Sequence, residues 1–332
     1  MAAAVLTSTI GLSHEDWLRY RRLGIGGSDA SIVCGVNKYK SPIELWLEKT
    51  GQAPNQEAGE AAYWGTQLEP LVREEFTRRT GIKVLHVNQI IQSRAYPFML
   101  ANLDGVCRCP AHGKCVFEAK TASAYKDAEW EGDHIPQEYV LQCQHYLFVT
   151  GYNGAYIAVL IGGNSFRWKF IARDESIISM LIRCEQDFWN HVQSGVSLEP
   201  DGSNACANFI AKQYPNSISK SKVVLPANAV DLLHQYNTAS EQLELITKQK
   251  QQASNQLKHM LGEHEIGIIG DSAVKWTTVT QERFNAQMLE KEQPDIYAKY
   301  IIQSSHRRFI VKIANNHEGD GKNHKELSKK AG

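Results

Sequence analysis

The sequence predicts an α/β (α+β) layered protein, a central mixed sheet flanked by helices, with a C-terminal helical arm and a small α+β extension. Three observations predict it. Strand-like alternation recurs through the first two hundred residues, amphipathic helical patterns bracket those strands, and one long polar helical pattern with short strand patterns follows. At 332 residues the chain has room for about two domains of roughly 150 residues, each able to bury a core.

Taken in order, Ser41-Pro42 before IELWLEKT gives a helix with a Ser cap and Pro in its first turn, ending at Gly51. Leu68 to Arg79 carries Leu68, Leu71, Val72, Glu75 and Phe76 at helical spacing, stopped by Thr80-Gly81. Lys83 to Ile91 alternates as a strand. Phe98 to Cys107 and Cys115 to Thr121 flank a Pro-Ala-His-Gly turn and predict a hairpin. A helix over Ile135 to Val149, a strand pair over Ala155 to Ile161 and Phe166 to Ile171, and an amphipathic helix over Glu175 to Val192 follow. Pro, Gly, Asn and Ser then predominate, and Ala227 to Leu261 is a long helix with a thin, Gln-rich apolar seam. Short strands around Ile266 to Ile269 and Ala273 to Val279, a helix near Asn285 to Glu292, and the segment His306 to Ile313 complete a smaller α+β piece. The expected organisation is a core over 1–198, a linker over 199–226, the long helix and extension over 227–313, and a disordered lysine-rich tail over 314–332.

Composition removes several classes. Charged residues at 22% and aromatics at 9% exclude wholesale disorder and collagen-like structure. No apolar run reaches the ~20 residues needed to span a bilayer, so no membrane role is expected. MAAAVLTSTIGL lacks a basic segment and is a poor signal peptide. Seven cysteines, an odd number, point to reduced thiols in the cytoplasm. With 36 basic against 36 acidic side chains, binding to nucleic acid must come from local patches.

Four features of the first half fall together. Asp104 ends an apolar strand pattern in MLANLDGV, and Glu118 and Lys120 project from one strand face in VFEAKTA. Glu69 lies on the preceding helix, while Gln142 and Tyr146 are four apart in QCQHY and share a helix face. Carboxylates meeting at strand ends form a hard-oxygen site suited to Mg²⁺ or Mn²⁺, and the Ala119 carbonyl is a further candidate ligand. A lysine beside such a site can hold or deprotonate an attacking water and offset charge developing on phosphorus. That equipment suits phosphodiester hydrolysis. Alternating charges on a strand also commonly mark a solvated face, and that reading stays open on the triad alone. The apolar residues before Asp104, Phe117 before Glu118, and the upstream Glu69 weigh against it, because converging buried carboxylates need a cation.

Near the N-terminus, Arg19, Arg21, Arg22, Lys38 and Lys40 surround GIGGS, with Asp29 as the opposing charge. Glycine N–H groups, the Ser28 hydroxyl and an arginine fork suit a phosphate; a turn that caps the next helix accounts for the same residues. Cys107, Cys109, His112 and Cys115 cluster on the predicted hairpin, but their spacing is not that of a zinc knuckle, and free thiols are expected.

In this order, Trp17-x-x-x-Arg21 leading into GIGGSDA, Gly65-x-x-x-Glu69-Pro70, the LDG and EAK pair and QCQHYLFVTG resemble the λ-exonuclease family. More narrowly they resemble the phage alkaline exonucleases, or YqaJ-type viral recombinases, of the PD-(D/E)xK nuclease superfamily. The likeness covers Trp17 to Ile171 and extends to KWTTVTQERFNAQML and SSHRRFIVKI. It implies a restriction-endonuclease-like core and a Mg²⁺-dependent 5′-to-3′ exonuclease, with Mn²⁺ as a substitute and two ions per site. Such an enzyme enters at the end of linear double-stranded DNA and leaves a 3′ overhang. By the same resemblance Asp104, Glu118 and the Ala119 carbonyl hold the ions, and Glu69 contributes through the second. Lys120 then positions the water, Gln142 orients metal-site groups or the scissile phosphate, and Arg21 and Ser28 grip the 5′-phosphate. A single-strand annealing protein as partner, a ring-shaped homotrimer, and a phage or prophage origin in a bacterial cytoplasm are implied too. One departure is Leu103-Asp104 in place of the superfamily's Pro-Asp; the proline only shapes the strand. Two other readings compete: an endonuclease or resolvase of the same superfamily, which would cut covalently closed circles, and a non-enzymatic DNA-binding scaffold acting through the long helix.

Overall fold

The alternating stretches do become strands, though not always in the sheet that continuity would suggest. A computed structural model describes residues 3–53 and 59–311 of the chain. It divides into two compact units, Met1–Tyr214 and Pro215–Gly332. The first unit opens with β1 (Ala4–Ser8), α1 (His14–Arg22), β2 (Ile25–Gly26), α2 (Gly27–Val33), α3 (Pro42–Lys49) and α4 (Glu60–Thr80). Five strands follow: β3 (Val84–Leu85), β4 (Gln89–Gln92), β5 (Met99–Asn102), β6 (Gly105–Cys109) and β7 (Gly113–Ala122). A 3-10 segment (Ala124–Trp130), α5 (Gln137–Thr150), β8 (Gly154–Ile161), β9 (Ser165–Ala172), α6 (Glu175–Ser194) and α7 (Asn204–Gln213) complete it.

The main sheet has five strands in the order β3-β6-β7-β8-β9. Its pairs are antiparallel except β7 and β8, which run parallel and are joined through α5, so the sheet is mixed and flanked by helices as expected. A second sheet, β1-β4-β5-β2, stands beside it. Alternation along β7 divides its neighbours. Phe117 packs with Val72 and Phe76 of α4, while Val116 joins the larger core with Cys143 and Leu147 of α5. Helix starts are set locally: Ser13, Ser41, Asp174 and Ser203 each accept a hydrogen bond from a first-turn N–H.

Three expectations are corrected. The alternation over Lys83 to Ile91 is two strands, β3 and β4, belonging to different sheets. Phe98 to Cys107 is likewise β5 and β6, and the chain passes from one sheet to the other at Leu103-Asp104. A residue pattern reports which faces are buried, not which sheet buries them. Part of the expected linker is helix α7, which packs on α3 and buries Ala205 and Cys206; the polar, small composition there reflects helix capping and close packing.

The second unit contains α8 (Ala229–Leu261), the hairpin of β10 (Ile266–Ile269) and β11 (Ser272–Lys275), α9 (Ala286–Glu292) and α10 (Pro294–Tyr300). Its described residues bury one hydrophobic side chain, Leu261, in keeping with a thin apolar seam. Within the segment His306 to Ile313, residues 306–311 have no regular secondary structure. Residues 312–313 and the expected tail at 314–332 lie outside the described residues. Among the described residues, no helix is long and apolar enough to cross a membrane.

Candidate active site

Strand β7 carries Glu118 and Lys120 on one face, and their side chains meet, with Lys120 Nζ 2.7 Å from Glu118 Oε1. The same oxygen accepts from Gln142 Nε2 on α5 at 2.6 Å, and Gln142 also donates to the Tyr146 hydroxyl at 3.2 Å. Asp104 sits where the chain changes sheets, and its Oδ2 accepts from the Ala119 N–H at 2.8 Å. Gly105 makes that crossing possible: a Cβ there would lie 2.5 Å from Val84 Cγ1 and 3.1 Å from the Leu85 carbonyl oxygen. Glu69, on α4, accepts from Arg73 Nη1 at 3.1 Å, and the same nitrogen reaches the Asp104 carbonyl at 3.2 Å.

On the other side, α1 places Trp17 and Arg21 one turn apart, with the guanidinium 5.2 Å from the indole centre. Arg21 Nη2 donates to Ser28 Oγ at 3.2 Å and to Asp29 Oδ1 at 2.6 Å. Gly27 lies directly under the Tyr146 ring; a Cβ there would come within 2.5 Å of Cε1. All eight residues expected at the site, Arg21, Ser28, Glu69, Asp104, Glu118, Ala119, Lys120 and Gln142, line one cavity of about 320 Å³. The GIGGS segment caps a helix and also borders the cavity. Ser28 and Arg21 face the cavity, while Gly26 caps α2 by donating to Asp29 Oδ2.

The carboxylates are electrostatically loaded. Burial and then Asp104 raise the pKa of Glu118. Burial and Asp104 also push Glu69 up to about 7, against the pull of Arg73. Burial raises Asp104 as well, despite Lys120 and the Ala119 N–H. Burial disfavours the ammonium of Lys120, but Glu118 and Asp104 override it, and its pKa is raised. Among the described residues, no three His, Cys, Asp or Glu side chains form a ready-made metal cluster. Each carboxylate instead takes donors of its own, as like charges held apart do. Glu118 Oε2 is the exception: it is buried and has no hydrogen-bond partner. An orphaned carboxylate oxygen beside two further acids fits a hard divalent cation.

Sequence reasoning missed Arg73, Lys49 and Tyr139. Arg73 is four residues after Glu69 on one helix, so its signal was present. Tyr139 lies with its ring centre 5.0 Å from Lys120 Nζ, and Lys49 reaches Asp29 from another helix; neither left a local pattern. Cys107, Cys109 and Cys115 are buried together against Tyr156 and Phe170, and Tyr156 donates its hydroxyl to Cys109 Sγ at 3.2 Å.

Fold and site together define an α+β protein with an acid–lysine cluster and an arginine–serine pair in one cavity. Comparison with known proteins places it further. Residues 16–153 match the YqaJ-like viral recombinase domain. The uncharacterized protein YqaJ of Bacillus subtilis (strain 168) is 42% identical over 314 residues, covering 93% of this chain and 98% of that protein. This chain belongs to the YqaJ family. The uncharacterized protein R354 of Acanthamoeba polyphaga mimivirus is 25% identical over 146 residues, 41% of this chain and 26% of that protein. Among solved structures, an alkaline exonuclease from Laribacter hongkongensis matches with a TM-score of 0.48 at 19% identity, covering 60% of this chain and 98% of that one. A phage related exonuclease from Haemophilus somnus 129PT matches with a TM-score of 0.39 at 14% identity, covering 55% of this chain and all of that one.

Proposed function

We propose that this protein is a Mg²⁺-dependent nuclease of the PD-(D/E)xK type that degrades linear double-stranded DNA 5′ to 3′ and leaves a 3′ overhang. The observation that carries the reading is the convergence of Asp104, Glu118 and Lys120 with Arg21 and Ser28 around one cavity. Membership of a viral recombinase family supports it. Asp104, Glu118, the Ala119 carbonyl and Glu69 would hold Mg²⁺, or Mn²⁺ in its place, as two ions. When bound, the metal supplies Lewis acidity and makes water a stronger acid.

The chain's own groups do the rest. Lys120, kept as an ammonium, is a donor that places the attacking water and offsets charge developing on the phosphoryl oxygens. Gln142 fixes Glu118 through Oε1 and leaves Oε2 free of protein donors. Arg73 ties Glu69 to the backbone at Asp104, so α4 and the sheet crossing keep their spacing. Arg21 and Ser28 take the 5′-terminal phosphate, which sets the polarity of digestion. A single-strand annealing protein that coats the overhang, a ring-shaped homotrimer around the duplex, and a bacterial cytoplasm as the place of work complete the proposal.

The test is digestion of linear duplexes and covalently closed circles with Mg²⁺ or Ca²⁺. Linear DNA should be resected with Mg²⁺, poorly with Ca²⁺, whose looser coordination misplaces the water. Circles should survive. Cut circles would overturn the exonuclease assignment in favour of an endonuclease.

A further inference from the structure

Asp29 is buried at the foot of the Arg21 side of the cavity and is bonded on every side. Oδ1 accepts from Arg21 Nη2 at 2.6 Å. Oδ2 accepts from Lys49 Nζ at 2.7 Å and from the Gly26 N–H at 3.1 Å. Lys49 Nζ also donates to the Arg21 carbonyl at 2.8 Å, so the lysine braces both the acid and the backbone of the arginine. The Asp29 and Lys49 side chains are 3% and 4% exposed, whereas Arg21 is 34% exposed and lines the cavity. Glu48, the next acid near Arg21, is paired with Lys40 at 2.5 Å.

A carboxylate that holds an arginine in place also neutralises it. An Arg21–Asp29 pair alone would be a rigid but uncharged fork, a weak attractor for an anion. Lys49 changes that balance, because with it two cations share one carboxylate in a nearly closed environment. Burial opposes charge on Asp29, yet Arg21 and Lys49 together hold its carboxyl well below the usual range. With Lys49 as an ammonium, which burial and Arg21 oppose and Asp29 favours, these three side chains sum to one positive charge. The nearby acid Glu185 is bonded to His145 at 2.8 Å, and Arg21 is the member that reaches the cavity.

We propose that Asp29 and Lys49 are positioning residues of an anion subsite: Asp29 fixes the Arg21 guanidinium, and Lys49 cancels the Asp29 charge so that Arg21 keeps its own for a terminal phosphate. This rests on the reading of Arg21 and Ser28 as the 5′-phosphate contact. It goes beyond that reading by making the phosphate selectivity depend on a lysine that never touches the ligand.

The experiment compares affinities of the full-length protein for a fluorescent linear duplex with 5′-phosphate or 5′-hydroxyl ends. Anisotropy is read in Ca²⁺ at one salt concentration, for wild type, Lys49→Met and Asp29→Asn/Lys49→Met, each checked by circular dichroism melting. Wild type should favour the phosphate end, and Lys49→Met should lower that preference about tenfold, the scale of one charge-assisted contact. The double variant removes the acid as well, leaves Arg21 charged beside a neutral acceptor, and should recover much of the preference. A purely structural lysine would give no such recovery. An unchanged ratio in Lys49→Met, or a double variant no better than Lys49→Met, overturns the inference and leaves the phosphate site standing. Should Lys49→Met fail to fold, the double variant read against wild type decides, and loss of the preference there overturns it. A wild type indifferent to the end group removes the site and the inference together.

Discussion

On one side of the cavity Glu69, Asp104 and Glu118 face the cations Arg73 and Lys120; on the other, Arg21 and Lys49 face Asp29. Both clusters bury ionisable groups, yet they are completed differently. Both Asp29 oxygens accept hydrogen bonds and the cluster is left with positive charge in excess, while Glu118 Oε2 is buried with no partner and acids outnumber bases around it. Burying a charge is costly unless it is paired, so each cluster's surplus names its missing partner: a cation on the carboxylate side, an anion on the arginine side. The proposed metal-assisted cut beside a captured phosphate end would use both.

The comparison is tested most severely at the acids. Asp104→Ala or Glu118→Ala should abolish Mg²⁺-dependent cleavage with the fold intact by circular dichroism, since a lost ligand removes Lewis-acid activation. Near-normal turnover from either variant would break the carboxylate half of the comparison. Lys120→Ala should retain metal binding by calorimetry and lose about 10²-fold or more in turnover. Lost metal binding would instead make Lys120 an organiser of the acids.

Arg21→Ala should behave differently in kind. A charge-assisted contact contributes about 1.5–3 kcal/mol, so the variant should lose most of a roughly 10- to 100-fold preference for 5′-phosphate over 5′-hydroxyl ends, and Ser28→Ala part of it. A rate ratio unchanged by Arg21→Ala would return GIGGS to a helix-capping turn.

The smallest expected effect is on stability, where the two clusters should respond to acid with opposite signs. Glu69 is raised from 4.5 to about 7, so in metal-free protein the folded state holds a proton that the unfolded chain has released between those values. Stability should therefore fall as pH rises through that window, Glu69 contributing about 1 kcal/mol after solvent screening. Glu69→Gln should remove that share and leave the fall that the raised Glu118 and Asp104 contribute. Asp29 is lowered from 3.8, so its contribution is present above that value and lost only as pH drops below it. Thermal melts across pH 3 to 8 check both, and a metal-free protein that gains stability between pH 5 and 7 would contradict the carboxylate half.

Much of this site was legible because its chemistry is local along the chain. Glu118 and Lys120 share a face by the two-residue period of a strand, and Gln142 with Tyr146 and Trp17 with Arg21 share faces by the helical turn. Those spacings are properties of backbone geometry, so they survive in any fold that keeps the element. Where the reading failed, the deciding quantity was a neighbour. Phe98 to Cys107 alternates throughout, and nothing in that alternation marks the change of sheet at Leu103-Asp104 that sets Asp104 against the Ala119 N–H.

The sequence by itself determined the α+β class, most element positions, and eight of the residues that line the cavity, because burial periodicity, capping and motif spacing act within a few residues. Only the tertiary structure decided how their charges are shared. Asp29 could be read as an opposing charge, but only packing sets it against Arg21 and brings Lys49, 20 residues away on another helix, to its second oxygen. Glu118 likewise meets Gln142 across 24 residues and keeps one oxygen unpaired. Electrostatic balance in a buried site depends on distances across space that packing alone sets, and such distances leave no period in the chain.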